Sequence, residues 1–183
     1  MKSIVLAKDI YLIKDFLSPE KCNEFIRSSE NIGFGAATIE TDNGPRVVDH
    51  IRNNSRVLYK DLNLAEELWM TLEPEAPKSI GESRAIGLNE LFRFYKYHPG
   101  QQFRKHRDQS FVRNNLEASY YTFMIYLNDN FRGGETRFNN CVVAPEAGAA
   151  LIFYHQLEHE GSEVLEGVKY VLRTDIMYRL NKF

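Results

Sequence analysis

Residues 168–180 read VKYVLRTDIMYRL. Valine, isoleucine and tyrosine favour the pleated surface of a sheet, and on a strand every second side chain points to the same face. Lys169, Val171, Arg173 and Asp175 therefore share one face. Arg173 can pair with Asp175 as plain structure, or it can turn toward a pocket with Lys169. The stretch reads as a long strand carrying an unusual set of charges on one side.

Working outward, similar runs recur from residue 88: LNELFRFYKY, YYTFMIYLND, CVVAP and GAALIFY. Turn residues separate them: Pro99-Gly100, Gly133-Gly134, Pro145 to Gly148, and Gly161 to Gly167. Short strands at such spacing predict an antiparallel sandwich or barrel. The first half reads differently. Residues 10–17 predict an edge strand. Ser18-Pro19-Glu20 opens a helix, with serine as N-cap and proline at the first helical position, and Cys22, Phe25 and Ile26 form its buried face. Gly33, Gly35 and Asp42-Asn43-Gly44-Pro45 predict strand and loop over 30–50. A second helix is expected over 61–72, capped by Asp61, with Leu64, Ala65, Leu68, Trp69 and Leu72 at helical spacing. Residues 73–83 read as a loop. The order is helices first, then strands, so the class is α+β, mainly β. One domain is expected over 1–183, with 1–87 as support and 88–183 as the β core.

The 183 residues suffice for one substantial core. A formal net charge of −2 gives no reason to expect a nucleic-acid partner. No apolar run reaches the roughly 20 residues of a membrane span. Cys22 and Cys141 stand far apart with no CxxC, which fits reduced thiols and a cytoplasmic location. Oligomeric state is not legible.

The chemistry sits in RKHRDQS, residues 104–110. His106-Arg107-Asp108 looks like the HRD of a kinase catalytic loop, which requires an asparagine five positions after the aspartate. That position is Arg113, and neither a glycine-rich phosphate loop nor a DFG is present. Read on a strand instead, His106 and Asp108 aim an imidazole and a carboxylate at a common point while Arg107 faces away. An iron(II) oxygenase centre needs two histidines and a carboxylate on one face of an octahedron. The second histidine must come from His50, His98, His155 or His159, and only the last two lie in the strand-rich C-terminal part. Without such a partner, His106 and Asp108 are a surface pair. His50 and His98 read as surface and loop residues.

HRD at 106–108, GGETRF at 133–138, PEAGAALIF at 145–153 and HEGSEVLEGVK at 159–169 occur in that order. Together they resemble the 2-oxoglutarate- and iron(II)-dependent dioxygenases, most closely the prolyl 4-hydroxylase-like branch. The likeness is strong over about 88–180 and looser before it, where FLSPEKC resembles the family's opening. The resemblance implies a double-stranded β-helix, or jelly roll, with His106, Asp108 and His159 binding Fe(II). In that branch a lysine stands ten residues after the distal histidine, a spacing His159 and Lys169 keep and His155 does not. Lys169 is then the cation for the far carboxylate of 2-oxoglutarate, and Tyr97, nine residues before His106, its hydroxyl partner. Tyr126 and Arg173 are weaker candidates for the same group. The activity implied is hydroxylation of an aliphatic C–H bond with O2, releasing succinate and CO2, with ascorbate as a candidate reductant.

The substrate implied is a prolyl residue of a peptide or protein. A small-molecule hydroxylase is the close rival, favoured by the lack of an appended peptide-binding domain. A non-catalytic metal-binding jelly roll is the rival from another class. Gly133-Gly134 reads as turn chemistry and Glu135 takes no catalytic role. Arg93 and Tyr95 either line the substrate side or, for Arg93, form a buried ion pair. Arg52-Asn53-Asn54-Ser55-Arg56 is either a substrate-recognition loop or solvated surface. Gln109 and Ser110 are solvated or begin the substrate rim.

Overall fold

The computed structural model describes residues 2–37, 39–41, 44–46 and 52–181. His50, Asp42 and Asn43 lie outside the described residues. Two sheets dominate. The larger runs Ser3–Ala7, Ile10–Ile13, Ala150–Tyr154, Glu117–Tyr126, Lys169–Leu180, Leu91–Tyr97, Ser55–Lys60, Gly35–Ala36. All its pairings are antiparallel. The smaller is ordered Phe103–His106, His159–Gly161, Thr136–Phe138, Val142–Val143.

Alternation along the central strands explains the layers. Phe92, Phe94, Phe123, Ile125 and Leu172 face one way and pack with Cys22, Phe25, Leu64, Leu68 and Leu72 of the two helices. Tyr95, Tyr97, Met124, Tyr126 and Val171 face the other way and pack with Phe138, Val143 and Phe153. The large sheet is thus buried on both faces, which is why its strands read as nearly continuous apolar runs. The interior between the sheets, where Lys169 and Arg173 point, becomes the pocket.

The helices form where their caps place them. Pro19–Ile32 starts on Ser18, whose hydroxyl accepts from the Lys21 N–H at 3.2 Å. Leu62–Leu72 starts on Asp61, whose carboxylate accepts from the Leu64 N–H at 2.9 Å. Some details depart from the sequence reading. The N-terminal segment forms a hairpin, so Ile10–Ile13 is flanked on both sides and Ser3–Ala7 holds the edge. Residues 73–83 include a short helical turn at Glu73–Glu75 and a strand at Ser79–Ile80. The support region also contributes strands to the main sheet, at Ser55–Lys60 and Ser83–Leu88.

Candidate metal centre and cosubstrate pocket

The Phe103–His106 and His159–Gly161 strands pair antiparallel, with His106 directly opposite His159. Cross-strand register, set by residues far apart in sequence, brings the two rings to a centroid separation of 4.3 Å. Each ring is fixed the same way. His106 Nδ1 lies 2.7 Å from the Arg104 carbonyl, and His159 Nδ1 lies 2.9 Å from that of Leu157. A carbonyl only accepts, so Nδ1 carries the hydrogen and Nε2 keeps its lone pair for a metal. Burial lowers the His159 pKa to about 4, which keeps the ring in its neutral, ligating form.

Asp108 does not share the strand of His106, as the alternation argument required. The strand ends at His106, and Asp108 follows in irregular chain. Its backbone N–H donates to the His155 carbonyl at 3.0 Å, and this bond supplies the placement that the strand does not. The carboxylate is held from several sides. Oδ2 accepts from Thr122 Oγ1 at 2.5 Å and pairs with Arg173 Nη2 at 3.0 Å. Oδ1 lies 3.6 Å from His106 Nε2, and Oδ2 lies 3.7 Å from His159 Nε2. Burial alone raises the carboxyl pKa, but Arg173 and the two histidines outweigh it and hold the group well below its ordinary range. The three ligand atoms fall within 4.8 Å of one another. Two imidazoles and one carboxylate converging on one point fit a divalent iron ion.

From this cluster a pocket runs inward past Tyr97, Met124 and Thr136 to Lys169. Lys169 is 3% exposed, and no carboxylate forms an ion pair with it among the described residues. Nζ donates to the Gly134 carbonyl at 2.7 Å and lies over the rings of Tyr97 and Tyr126 at 5.3 and 5.5 Å. Burial pulls its pKa down to about 8. A buried ammonium with no anion beside it is costly and fits a site completed by an incoming carboxylate.

The structure brings the remaining candidates to distinct places. Tyr97 sits opposite Lys169 in the sheet register and lines the pocket. The Tyr126 hydroxyl is engaged with Thr136 Oγ1 at 2.7 Å. Arg173 stands at the metal end rather than beside Lys169, bridging Asp108 and Asp175 at 3.0 and 3.4 Å. Arg93 forms a half-buried ion pair with Asp175 at 3.2 Å and also lines the outer cleft. His155 is buried behind the cluster, 3.5 Å from Asp175 Oδ1. His98 belongs to the exposed turn. The sequence pointed to Asp175 only as an ion-pair partner of Arg173, and to no role for Thr122 or Thr136 in the pocket. A polar residue inside each apolar run, such as the threonine of YYTFMIY, was the available signal.

Residues 92–174 match the 2OG-Fe(II) oxygenase superfamily. The matched stretch covers less than half of the chain and contains His106, Asp108, His159 and Lys169, so the likeness to Fe(II)- and 2-oxoglutarate-dependent oxygenases falls on the residues that form this site. The curated relatives and solved structures that the chain resembles are prolyl hydroxylases. Prolyl 4-hydroxylase 1 of Arabidopsis thaliana is 24% identical over 189 residues, covering 88% of this chain and 66% of that protein. The viral collagen prolyl hydroxylase of Paramecium Bursaria Chlorella virus-1, solved with 2OG, superposes with a TM-score of 0.66 at 18% identity, over 94% of this chain and 97% of that one. A Trichoplax adhaerens prolyl hydroxylase, in complex with a hypoxia inducible factor peptide fragment, gives 0.70 at 18% identity, over 92% and 83%.

Proposed function

We propose that the chain hydroxylates a prolyl residue of a peptide or protein, consuming O2 and 2-oxoglutarate and releasing succinate and CO2. His106, Asp108 and His159 hold the iron, which when bound supplies oxygen activation coupled to decarboxylation of the cosubstrate. The observation carrying this reading is the pairing, in one pocket, of that ligand set with the unneutralised Lys169.

Each residue has a task that follows from its contacts. Lys169 and Tyr97 bind the far carboxylate and so aim the keto-acid end at the metal. Thr122 and Arg173 occupy Oδ2 of Asp108, leaving Oδ1 as the free ligand atom. The carbonyls of Arg104 and Leu157 fix both imidazole tautomers. Phe103 stacks on His106 at a centroid distance of 3.4 Å and shields one face of that ring from water. Ascorbate as reductant and a cytoplasmic location belong to the same reading; Cys22 and Cys141 are both free thiols.

The test is succinate formation with Fe(II), 2-oxoglutarate and O2, screened over proline-containing peptides and free amino acids. Turnover is expected with a prolyl peptide. Turnover with free amino acids alone makes the chain a small-molecule hydroxylase. Failure to form a coloured iron–2-oxoglutarate complex without O2 removes the enzyme reading altogether.

A further inference from the structure

Outside the metal lies a second cavity, an open cleft of about 470 Å³. Its charge is one-sided. Arg52, Arg56, Arg93, Lys105, Arg107 and Arg173 line it, and Asp108 is the single acidic lining residue among those described. Arg93 and Arg173 are neutralised by Asp175 and Asp108. Arg52 is not. It is 4% exposed, with its guanidinium clamped between the rings of Tyr95 and Phe103 at 4.2 and 4.4 Å. Nε donates to Asn54 Oδ1 at 2.6 Å, while Nη2 has no hydrogen-bond partner among the described residues. The Tyr95 hydroxyl, also buried, has none either. Unsatisfied donors at this depth are rare unless a ligand completes them.

The segment carrying Arg52 is built rather than loose. Arg52 bridges to Phe103. Asn53 Oδ1 accepts from the Gln102 N–H at 2.8 Å, and the Asn54 carbonyl accepts from Ala37 at 3.0 Å. The field at the spot favours negative charge: burial alone raises the Tyr95 pKa, yet Arg52, Arg173 and Arg93 bring it down to about 8. Arg52 lines the outer cleft and not the inner pocket, and its charge reaches both Tyr95 and Tyr97.

We propose that the substrate carries a carboxylate, bound across the cleft from the metal by Arg52 Nη2 and the Tyr95 hydroxyl. Two donors on adjacent groups match the two oxygens of one carboxylate. This rests on reading the inner site as a 2-oxoglutarate dioxygenase. The carboxylate has two possible sources, an acidic residue beside the target residue of a peptide or the carboxyl group of a free amino acid.

The experiment is calorimetric binding, without O2, to protein loaded with Fe(II) and 2-oxoglutarate. Four probes are used: two prolyl peptides differing only by glutamate or glutamine beside the proline, and L-proline with its amide. In at least one pair the acid should bind about tenfold or more tightly than its neutral twin. The pair that discriminates identifies the source. Arg52→Gln should erase the preference, Arg52→Lys should retain part of it, and Tyr95→Phe should reduce it several-fold. Formation of the coloured complex shows that each variant is folded. If Arg52→Gln does not fold, Arg52→Lys and Tyr95→Phe decide. Equal binding within both pairs, no binding by any probe, or a preference that survives these variants overturns the proposal. Succinate release is read separately. Acid-selective binding without turnover refutes prolyl hydroxylation and spares the carboxylate site, whereas equal turnover of the neutral peptide does the reverse.

Discussion

Lys169 and Arg52 are both buried cations, 3% and 4% exposed, yet they are held in opposite ways. Lys169 ends a narrow pocket, among tyrosine rings and one carbonyl. Arg52 lies in the wall of an open cleft, stacked between two rings, with further guanidiniums around it. An ammonium is a compact charge that loses its proton when dehydrated, whereas a guanidinium stays charged and offers a planar fork. The charge of Lys169 therefore depends on the anion it receives, and that of Arg52 does not. The first suits a cosubstrate of fixed size; the second suits a group presented by a variable substrate.

The metal cluster lies between these two sites, and removing it gives the largest effect. Asp108→Ala should reduce turnover to background and abolish the coloured complex, because the variant loses the carboxylate of the proposed ligand set and leaves Arg173 without its Asp108 partner. Retained activity would show that iron is held elsewhere and would dissolve the comparison.

Next comes the inner cation. Lys169→Met should raise half-saturating 2-oxoglutarate by about a hundredfold, the scale of a buried charge-assisted contact. Arg173→Gln should affect iron retention more than the cosubstrate requirement, since Arg173 touches Asp108 and Asp175. If it raises half-saturation as much as the loss of Lys169 does, the cosubstrate carboxylate belongs to Arg173.

How much of this was legible in the sequence follows from the range of each contact. The two-residue step from His106 to Asp108 and the ten-residue step from His159 to Lys169 are local spacings, and both ends of each meet at the pocket. The helix caps at Ser18 and Asp61 are equally local. The support of Asp108 is not. It depends on Thr122 and Arg173, brought beside each other by the pairing of Glu117–Tyr126 with Lys169–Leu180. Likewise, alternation correctly put Arg173 on the face of Lys169, but four residues along an extended strand separate them by roughly 13 Å. That distance takes Arg173 to the metal end. The clamp on Arg52 needs Tyr95 and Phe103 from two further strands, so the segment read equally well as surface.

The pH response distinguishes the two cations more gently. In the proposed site, cosubstrate binding needs the ammonium form of Lys169, whose pKa in the free protein is lowered to about 8 by burial. Below that pH the amine is already charged and affinity should be flat. Above it a proton must be taken up on binding, so affinity should fall about tenfold per pH unit until the pKa of the complex is reached. At the outer cleft the Arg52 guanidinium does not titrate in the range, so any loss of acid selectivity above about pH 8 belongs to the Tyr95 hydroxyl and should vanish in Tyr95→Phe. Cosubstrate affinity that is flat from pH 7 to 10 would mean Lys169 keeps its proton without a ligand, and the contrast between the two sites would fail.

The smallest effect comes from the turn behind Lys169. Gly134 has φ +69°, and a Cβ there would stand 3.1 Å from both Lys169 Cδ and Phe131 Cε2. Gly134→Ala therefore combines left-handed strain with a tight contact, costing about 1–2 kcal/mol by the usual penalty for that conformation. Thermal or urea melting reads that loss. Because the lysine stem is the flexible neighbour, it should yield, moving Nζ off the Gly134 carbonyl and raising half-saturating 2-oxoglutarate by a few-fold, far less than Lys169→Met. The iron site and the acid selectivity of the outer cleft should be unchanged, since neither touches this turn. A variant that loses stability but keeps its cosubstrate affinity would show that the glycine serves the turn alone, and that Lys169 is aimed by the tyrosine rings rather than by the backbone beneath it.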